Sequence, residues 1–209
     1  MKQLMPVGRF LLGALISLSL PPYGFWALSP ICLGIYLQIS RHENFRRQLI
    51  NAFSLWMGYF TIALTWMTDL TVPGWFIATP VQAFIMALPL ALVPHLGRGR
   101  AVAVPSALVV GESIRWVLPF GGVPMSNLAM GPIDTYLVEI VRVGGSLLLI
   151  AAIGLLAIAV EGALSKKPRT VLSSVAAIAA LIGVAQIAPA GQPGQKIKAS
   201  VVQAGGQLG

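Results

Sequence analysis

Of the 209 residues, 56% are hydrophobic and only 10% charged, and the mean hydropathy is +0.83. A soluble domain carries roughly a quarter charged residues, so a water-facing surface is excluded and apolar runs of bilayer length set the class. The formal net charge of +8 lies in short clusters between those runs. No basic stripe interleaves with aromatics, so the pattern orients a membrane protein and argues against nucleic acid as a partner.

The pattern predicts an all-α polytopic membrane protein of about seven transmembrane helices, with a short strand at the C-terminal end. Lys2 and Arg9 followed by the apolar run 10–20 resemble a signal peptide. No clear A-x-A-like cleavage site follows, and the run is read as a short first helix ended by Pro21-Pro22. A second helix is predicted over 23–39, closed by the polar run from Arg41 to Arg47, and a third over 49–69. Val72-Pro73-Gly74 reads as a tight turn before a fourth helix over 75–96. Gly97-Arg98-Gly99-Arg100 breaks that helix, and a fifth is predicted over 101–118, with Pro105 tolerated in its first turns.

The stretch 119–132 is rich in glycine and proline and reads as non-helical, and 133–142 has the pattern of a short amphipathic helix at the interface. Sixth and seventh spans are expected over 143–162 and 171–189. These divide the chain into a transmembrane domain over 1–189, a linker over 190–195 and a strand-like segment over 196–209.

The charges by side give the orientation. With the N-terminus in the cytoplasm, the cytoplasmic segments hold Lys2, Arg9, Arg41, Arg46, Arg47, Arg98, Arg100, Lys166, Lys167 and Arg169. The short outside connections hold no lysine or arginine, and Trp66, Trp75 and Trp116 fall near outer helix ends. The chain therefore reads as multi-pass in a membrane, N-terminus in and C-terminus out.

Few residues carry chemistry. Glu112 and Arg115 sit three apart in an apolar span, share a helix face and can pair. Intramembrane charges face a bundle interior and mark either structure or function. Here they either anchor the glycine-rich loop that follows or present Arg115 to a lipid headgroup phosphate. Asp69 reads as a solvated helix end, and Glu139 and Arg142 as an interfacial pair. His42 and His95 stand singly, without zinc spacing, so no metal is expected. Cys32, the one cysteine, excludes an intrachain disulfide and reads as a small buried hydrophobe. There is no phosphate-cradling glycine loop and no Ser-His-Asp set.

Four stretches, in order, resemble the apolipoprotein N-acyltransferase family. Pro22-Tyr23-Gly24-Phe25-Trp26 resembles its Pro-aromatic-Gly-x-Trp connection. Leu64-Thr65-Trp66 leading to Val72-Pro73-Gly74 resembles a helix ending in tryptophan before a turn. Glu112-Ser113-Ile114-Arg115 with Pro119-Phe120-Gly121-Gly122-Val123-Pro124 resembles the Glu-x-x-Arg…Pro-Phe-Gly-Gly-x-Pro stretch, the most specific of the four. Val201-Val202-Gln203 before Gly205-Gly206 resembles the first strand of a nitrilase-like catalytic domain. Met125 replaces a usual tryptophan, Met130-Gly131-Pro132 a more polar continuation, and Ala204 a usual glycine.

The resemblance implies an enzyme of lipoprotein maturation. A cysteine thiolate takes an acyl chain from phospholipid as a thioester, and the N-terminal amine of a diacylglyceryl-cysteine apolipoprotein accepts it. The family's Glu-Lys-Cys triad does this without a cofactor, with glutamate as base and lysine stabilising the oxyanion. The partners implied are the phospholipid donor, the diacylated lipoprotein acceptor and the bilayer. The triad lies downstream of the first nitrilase strand, so no catalytic residue is assigned here. The chain is expected to be a fragment, inactive alone, lacking also a final membrane helix. Glu112, Arg115, Gly121, Gly122, Pro124 and Trp66 are the candidate structural or headgroup contacts. Two rival classes stay open: a small transporter, and a membrane scaffold for a polyprenol-phosphate mannosyltransferase.

Overall fold

The computed structural model describes residues 4–41, 43–94, 97, 99–119, 122–188 and 200, with the side chains of Leu4 and Met5 left aside. Among these residues there are seven α-helices and no strand: α1 (Leu4–Ser17), α2 (Leu28–Ile39), α3 (Phe45–Ala63), α4 (Val72–Ala91), α5 (Arg100–Arg115), α6 (Val141–Leu164) and α7 (Pro168–Ile187). Short 3-10 segments cover Thr65–Asp69, Leu128–Met130 and Tyr136–Ile140.

Helix starts follow local chemistry. The Asn44 side chain accepts the Arg47 amide at 3.0 Å and caps α3, which therefore begins at Phe45, earlier than the apolar run suggests. Thr71 does the same for α4, its hydroxyl accepting the Gly74 amide at 3.3 Å. Val72-Pro73-Gly74 is thus the first turn of α4 and not the tight turn expected before it. Proline fits there because that amide would be unpaired in any helix. Long apolar α6 is broken near its start, where Gly144 (φ −144°, ψ 22°) and Gly145 (φ 66°, ψ −170°) leave helical geometry. The expected interfacial helix over 133–142 is accordingly a 3-10 segment that buries Leu137 and Ile140 and exposes Tyr136.

Pairwise packing closes a ring, α1 on α3, α3 on α4, α4 on α5, α5 on α6, α6 on α2 and α2 back on α1, while α7 lies outside against α6. Inside the ring α3 presents Leu55, Trp56, Tyr59 and Phe60, all fully buried, with Tyr59 edge-on to Phe60 at 4.8 Å between ring centres. The outward surface is apolar as well: Phe76, Ile77, Val102 and Leu172 are all exposed. Hydrocarbon side chains on both faces suit a bundle whose solvent is lipid.

Three helical stretches are long and apolar enough to cross a membrane: Val72–Ala91, Tyr136–Leu164 and Pro168–Ile187. The other four of the seven α-helices are shorter or more polar. α1 and α2 have only 14 and 12 residues, against the roughly 20 needed to cross the hydrocarbon core. The turn 18–27, with Pro21-Pro22, takes residues from both. α5, with 16 residues, is also short, and polar residues at the start of α3 lower its hydropathy. The linker over 190–195 and the strand-like 196–209 lie outside the described residues, apart from Ser200.

The tightest helix pair is α1 with α3. A Cβ on Gly13 would overlap the Leu55 carbonyl, and one on Gly58 would overlap the Phe10 carbonyl. Small residues allow this backbone approach where no hydrophobic drive separates helix from lipid. Gly13→Ala and Gly58→Ala are each expected to cost on the order of 1–3 kcal/mol by overpacking. Gly183→Ala, with open space around it, should be neutral or slightly stabilising. Thermal unfolding in detergent reads all three.

Candidate functional site

The C-terminal end of α5 holds the most completely buried ion pair of the molecule's described residues. Arg115 donates to Glu112 at 2.6 Å, and neither side chain has any exposed surface. A helix side chain leans toward its own N-terminus, so the guanidinium sits below its backbone, inside the bundle. There it reaches three other segments. Its Nε donates to Gln82 Oε1 of α4 at 2.7 Å. One terminal nitrogen donates to the carbonyls of Val123 and Met125 at 3.2 and 3.1 Å. Its plane lies 4.5 Å over the ring of Phe60 in α3, a cation–π contact that gains strength away from water. Burying this charge is affordable only with the carboxylate beside it and the fork's donors engaged.

The loop is shaped to meet that fork. The Val123 amide donates to the Arg115 carbonyl at 2.8 Å. Gly122 has φ +91° and packs against the Trp116 carbonyl so closely that a Cβ would overlap it. Only glycine suits both conditions. Further on, Ser126 adopts φ 57°, a left-handed conformation that costs a residue with a side chain roughly 1–2 kcal/mol. Two bonds to α3 hold it: its hydroxyl donates to the Ala63 carbonyl at 2.6 Å, and Tyr59 donates to its carbonyl at 2.9 Å. Asn127 closes the turn, donating to the Pro124 carbonyl at 3.0 Å and accepting the Ala129 amide at 3.0 Å.

Among the residues singled out in the sequence, Glu112, Arg115 and Gly122 therefore meet in one cluster. Pro124 is exposed on the loop and takes part through its carbonyl. Gly121 lies outside the described residues, as do His42 and His95. Trp66 stands apart, half-buried in the 3-10 segment after α3, with no hydrogen bond to the cluster. Glu139 and Arg142 pair at 3.2 Å, and Arg142 also donates to the Ala188 carbonyl at 2.8 Å, tying the end of α7 to the 3-10 segment. Cys32 is buried in α2.

Sequence reasoning missed Gln82, Tyr59 and Ser126, which no spacing rule links to Arg115. It also missed a second buried cluster at the other end of α5. Glu161 of α6 accepts from Arg100 at 2.9 Å and from Arg41 at 2.9 Å. Arg100 also donates to the carbonyls of Pro94 and Leu37 at 2.6 and 3.1 Å. Arg9 pairs with Glu43 at 3.5 Å nearby in sequence terms to the start of α3. A signal for Glu161 existed, as the one acidic residue in the apolar run 143–162. No cluster of three potential metal ligands occurs among the described residues.

An apolar exterior, membrane-length helices and charges sealed between helix ends define a helical-bundle membrane protein. A family model for the apolipoprotein N-acyltransferase N-terminal domain matches residues 12–160, a span that contains the whole Glu112–Arg115 cluster and its loop. The chain belongs to the apolipoprotein N-acyltransferase family.

Removing either member of the ion pair leaves the other buried and unpaired. Glu112→Ala and Arg115→Ala should each cost on the order of 1–3 kcal/mol, and the double variant less than their sum. Thermal unfolding of the four proteins in one detergent measures the cycle, and strict additivity would show that the pair is uncoupled.

Proposed function

We propose that this chain serves as the membrane domain of an enzyme that moves an acyl chain from phospholipid to the N-terminal amine of diacylglyceryl-cysteine lipoproteins. The match over 12–160 carries this reading. In the proposed reaction a cysteine thiolate of a nitrilase-like domain attacks the phospholipid ester carbonyl and releases a lysophospholipid. The lipoprotein amine then attacks the thioester, loses a proton to the glutamate base and frees the thiolate. The membrane domain holds that chemistry at the bilayer surface and admits both lipid substrates from the side. Arg115 is a positioning residue in this scheme. Its buried guanidinium fixes the 122–127 loop, and the loop edges the surface on which the substrates arrive.

The described residues offer no competing chemistry. Cys32 lies among apolar side chains of α2 with no base or cation hydrogen-bonded to it, and a reactive thiolate needs both exposure and an electropositive neighbour. The orientation belongs to the same proposal: N-terminus cytoplasmic, the short helices α1, α2 and α5 completing the crossings made by the longer ones, and the Arg115 loop on the extracytoplasmic side.

Acyl transfer from phospholipid to a diacylglyceryl-cysteine peptide is the direct assay. A protein that joins this membrane domain to a nitrilase-like domain should be active, and loss of the nitrilase-like cysteine should abolish the transfer. Cys32→Ala should leave that activity unchanged, while a thioester trapped on Cys32 would sink the assignment. Orientation is read by single cysteines in a Cys32→Ser background. A cysteine at exposed Tyr136 should react with a membrane-impermeant thiol reagent on intact cells, and one at exposed Gly99 should not. The reverse pattern would invert the topology.

A further inference from the structure

At the end of the bundle opposite the Arg115 loop, a cavity of about 420 Å³ opens where α5, α6 and α7 meet. Its wall carries Arg41, Arg100, Lys167 and Arg169 against one carboxylate, Glu161. That carboxylate is already committed to both Arg41 and Arg100. Arg100 is in turn held by the carbonyls of Pro94 and Leu37. Lys167 and Arg169 are different: both are exposed, and neither forms an ion pair among the described residues. Arg41 commits only its Nε to Glu161. The cavity thus has excess positive charge with donors to spare, and the hydroxyls of Thr170 and Ser173 line it too. It also adjoins the first turn of α7, whose amide dipoles favour an anion.

A second cavity, of about 600 Å³, lies alongside and shares Lys167 with the first. Its wall is mostly apolar, formed by Ala163 of α6 and by Pro168, Val171, Leu172 and Val175 of α7, with Lys166 beside Lys167 at its edge. A cationic chamber joined through one lysine to an apolar groove matches an amphiphile. A free phosphate ion would use the chamber alone and leave the groove unexplained.

We propose that this end of the bundle binds an anionic phospholipid, its phosphate held by Lys167 and Arg169 and one acyl chain laid against Val171, Leu172 and Val175. The inference rests on α6 and α7 crossing the bilayer, which puts Lys167 and Arg169 at headgroup level. Basic pockets between membrane helices hold such headgroups by this combination of local charge and an adjoining apolar wall. The Glu161 carboxylate has a positioning part here. By pinning Arg41 and Arg100 it keeps the floor of the chamber fixed while Lys167 and Arg169 take the ligand.

The test is native mass spectrometry of the full chain, released from detergent after incubation with equal amounts of dioleoyl phosphatidylglycerol and dioleoyl phosphatidylcholine. Phosphatidylglycerol should be retained in preference. K167A/R169A should weaken its retention by about tenfold. Both residues are exposed, so the fold should persist, which an unchanged melting temperature would verify. R46A/R47A removes the same charge from the exposed start of α3 and should leave retention unchanged. Equal retention of the two lipids, or equal losses in the two double variants, would refute a headgroup site. Displacement of phosphatidylglycerol by millimolar inorganic phosphate would show an ion site and overturn the lipid assignment. The readout needs no turnover, so failure here leaves the acyltransferase proposal standing, and failure of acyl transfer leaves this site standing.

Discussion

An arginine side chain cannot be left unpaired in a medium of low dielectric, and α5 carries one at each end. Arg100 and Arg115 are separated by fifteen residues, or about 22 Å of helix rise. Each is buried, and each is neutralised by a carboxylate and fixed by backbone carbonyls. Every segment that must supply those partners is thereby held in place. At one end this means α3, α4 and the 122–125 loop; at the other, α2, α6 and the turn after α4. The ring of helices is sewn at both rims by these two guanidinium groups, and the apolar packing between them fills what the rims define.

The two rims differ in how far their charge is spent. At the Arg115 rim cation and anion balance within one helix, and the remaining donors go to Gln82 of α4 and to carbonyls of the 122–127 loop, which α3 also holds through Ser126. The geometry is closed, which suits a surface against which another domain or a bulky substrate must be placed reproducibly. At the Arg100 rim one carboxylate serves two arginines, and Lys167 and Arg169 stand beside it with no ion pair among the described residues. Charge in excess of its partners is costly in lipid unless water or an anion is at hand. That rim must therefore face an interface, whereas the other can be sealed.

Much of this was legible in the sequence because bilayer constraints are coarse. Few charges and long apolar runs identified the membrane class, and the three-residue spacing of Glu112 and Arg115 put them on one face. Helix boundaries were less legible, because apolar runs and helices end for different reasons. The caps at Asn44 and Thr71 start α3 and α4 before or at residues that hydropathy assigns to turns, the turn at Pro21-Pro22 runs on to residue 27 into the expected second helix, and Gly144-Gly145 breaks the start of the expected sixth span. The partners of Arg115 in α3 and α4 were beyond reach, since contacts across a bundle leave no periodic trace. Arg9, Arg41 and Arg100 show a subtler limit. Counting them as orientation signals concealed that each has a buried or half-buried carboxylate partner.

The outer helix α7 shows how these rims extend to the periphery. It packs on α6, buries only a narrow stripe that includes Ser174, Ile178 and Ala185, and depends on its ends for placement. Its far end is tied by Arg142 to the Ala188 carbonyl, beside the 3-10 segment that follows the Arg115 loop. Its near end begins at the cationic chamber, where Lys167 and Arg169 form no ion pair among the described residues. That near end is held to α6 by the 165–167 turn, in which the Lys167 amide donates to the Gly162 carbonyl at 2.8 Å. A headgroup between Lys167, Arg169 and the pinned Arg41 would add a side-chain tie to this backbone one. Occupancy of that site would then hold α7 against α6 along its length, and the bilayer's own lipid would become part of the packing of the bundle.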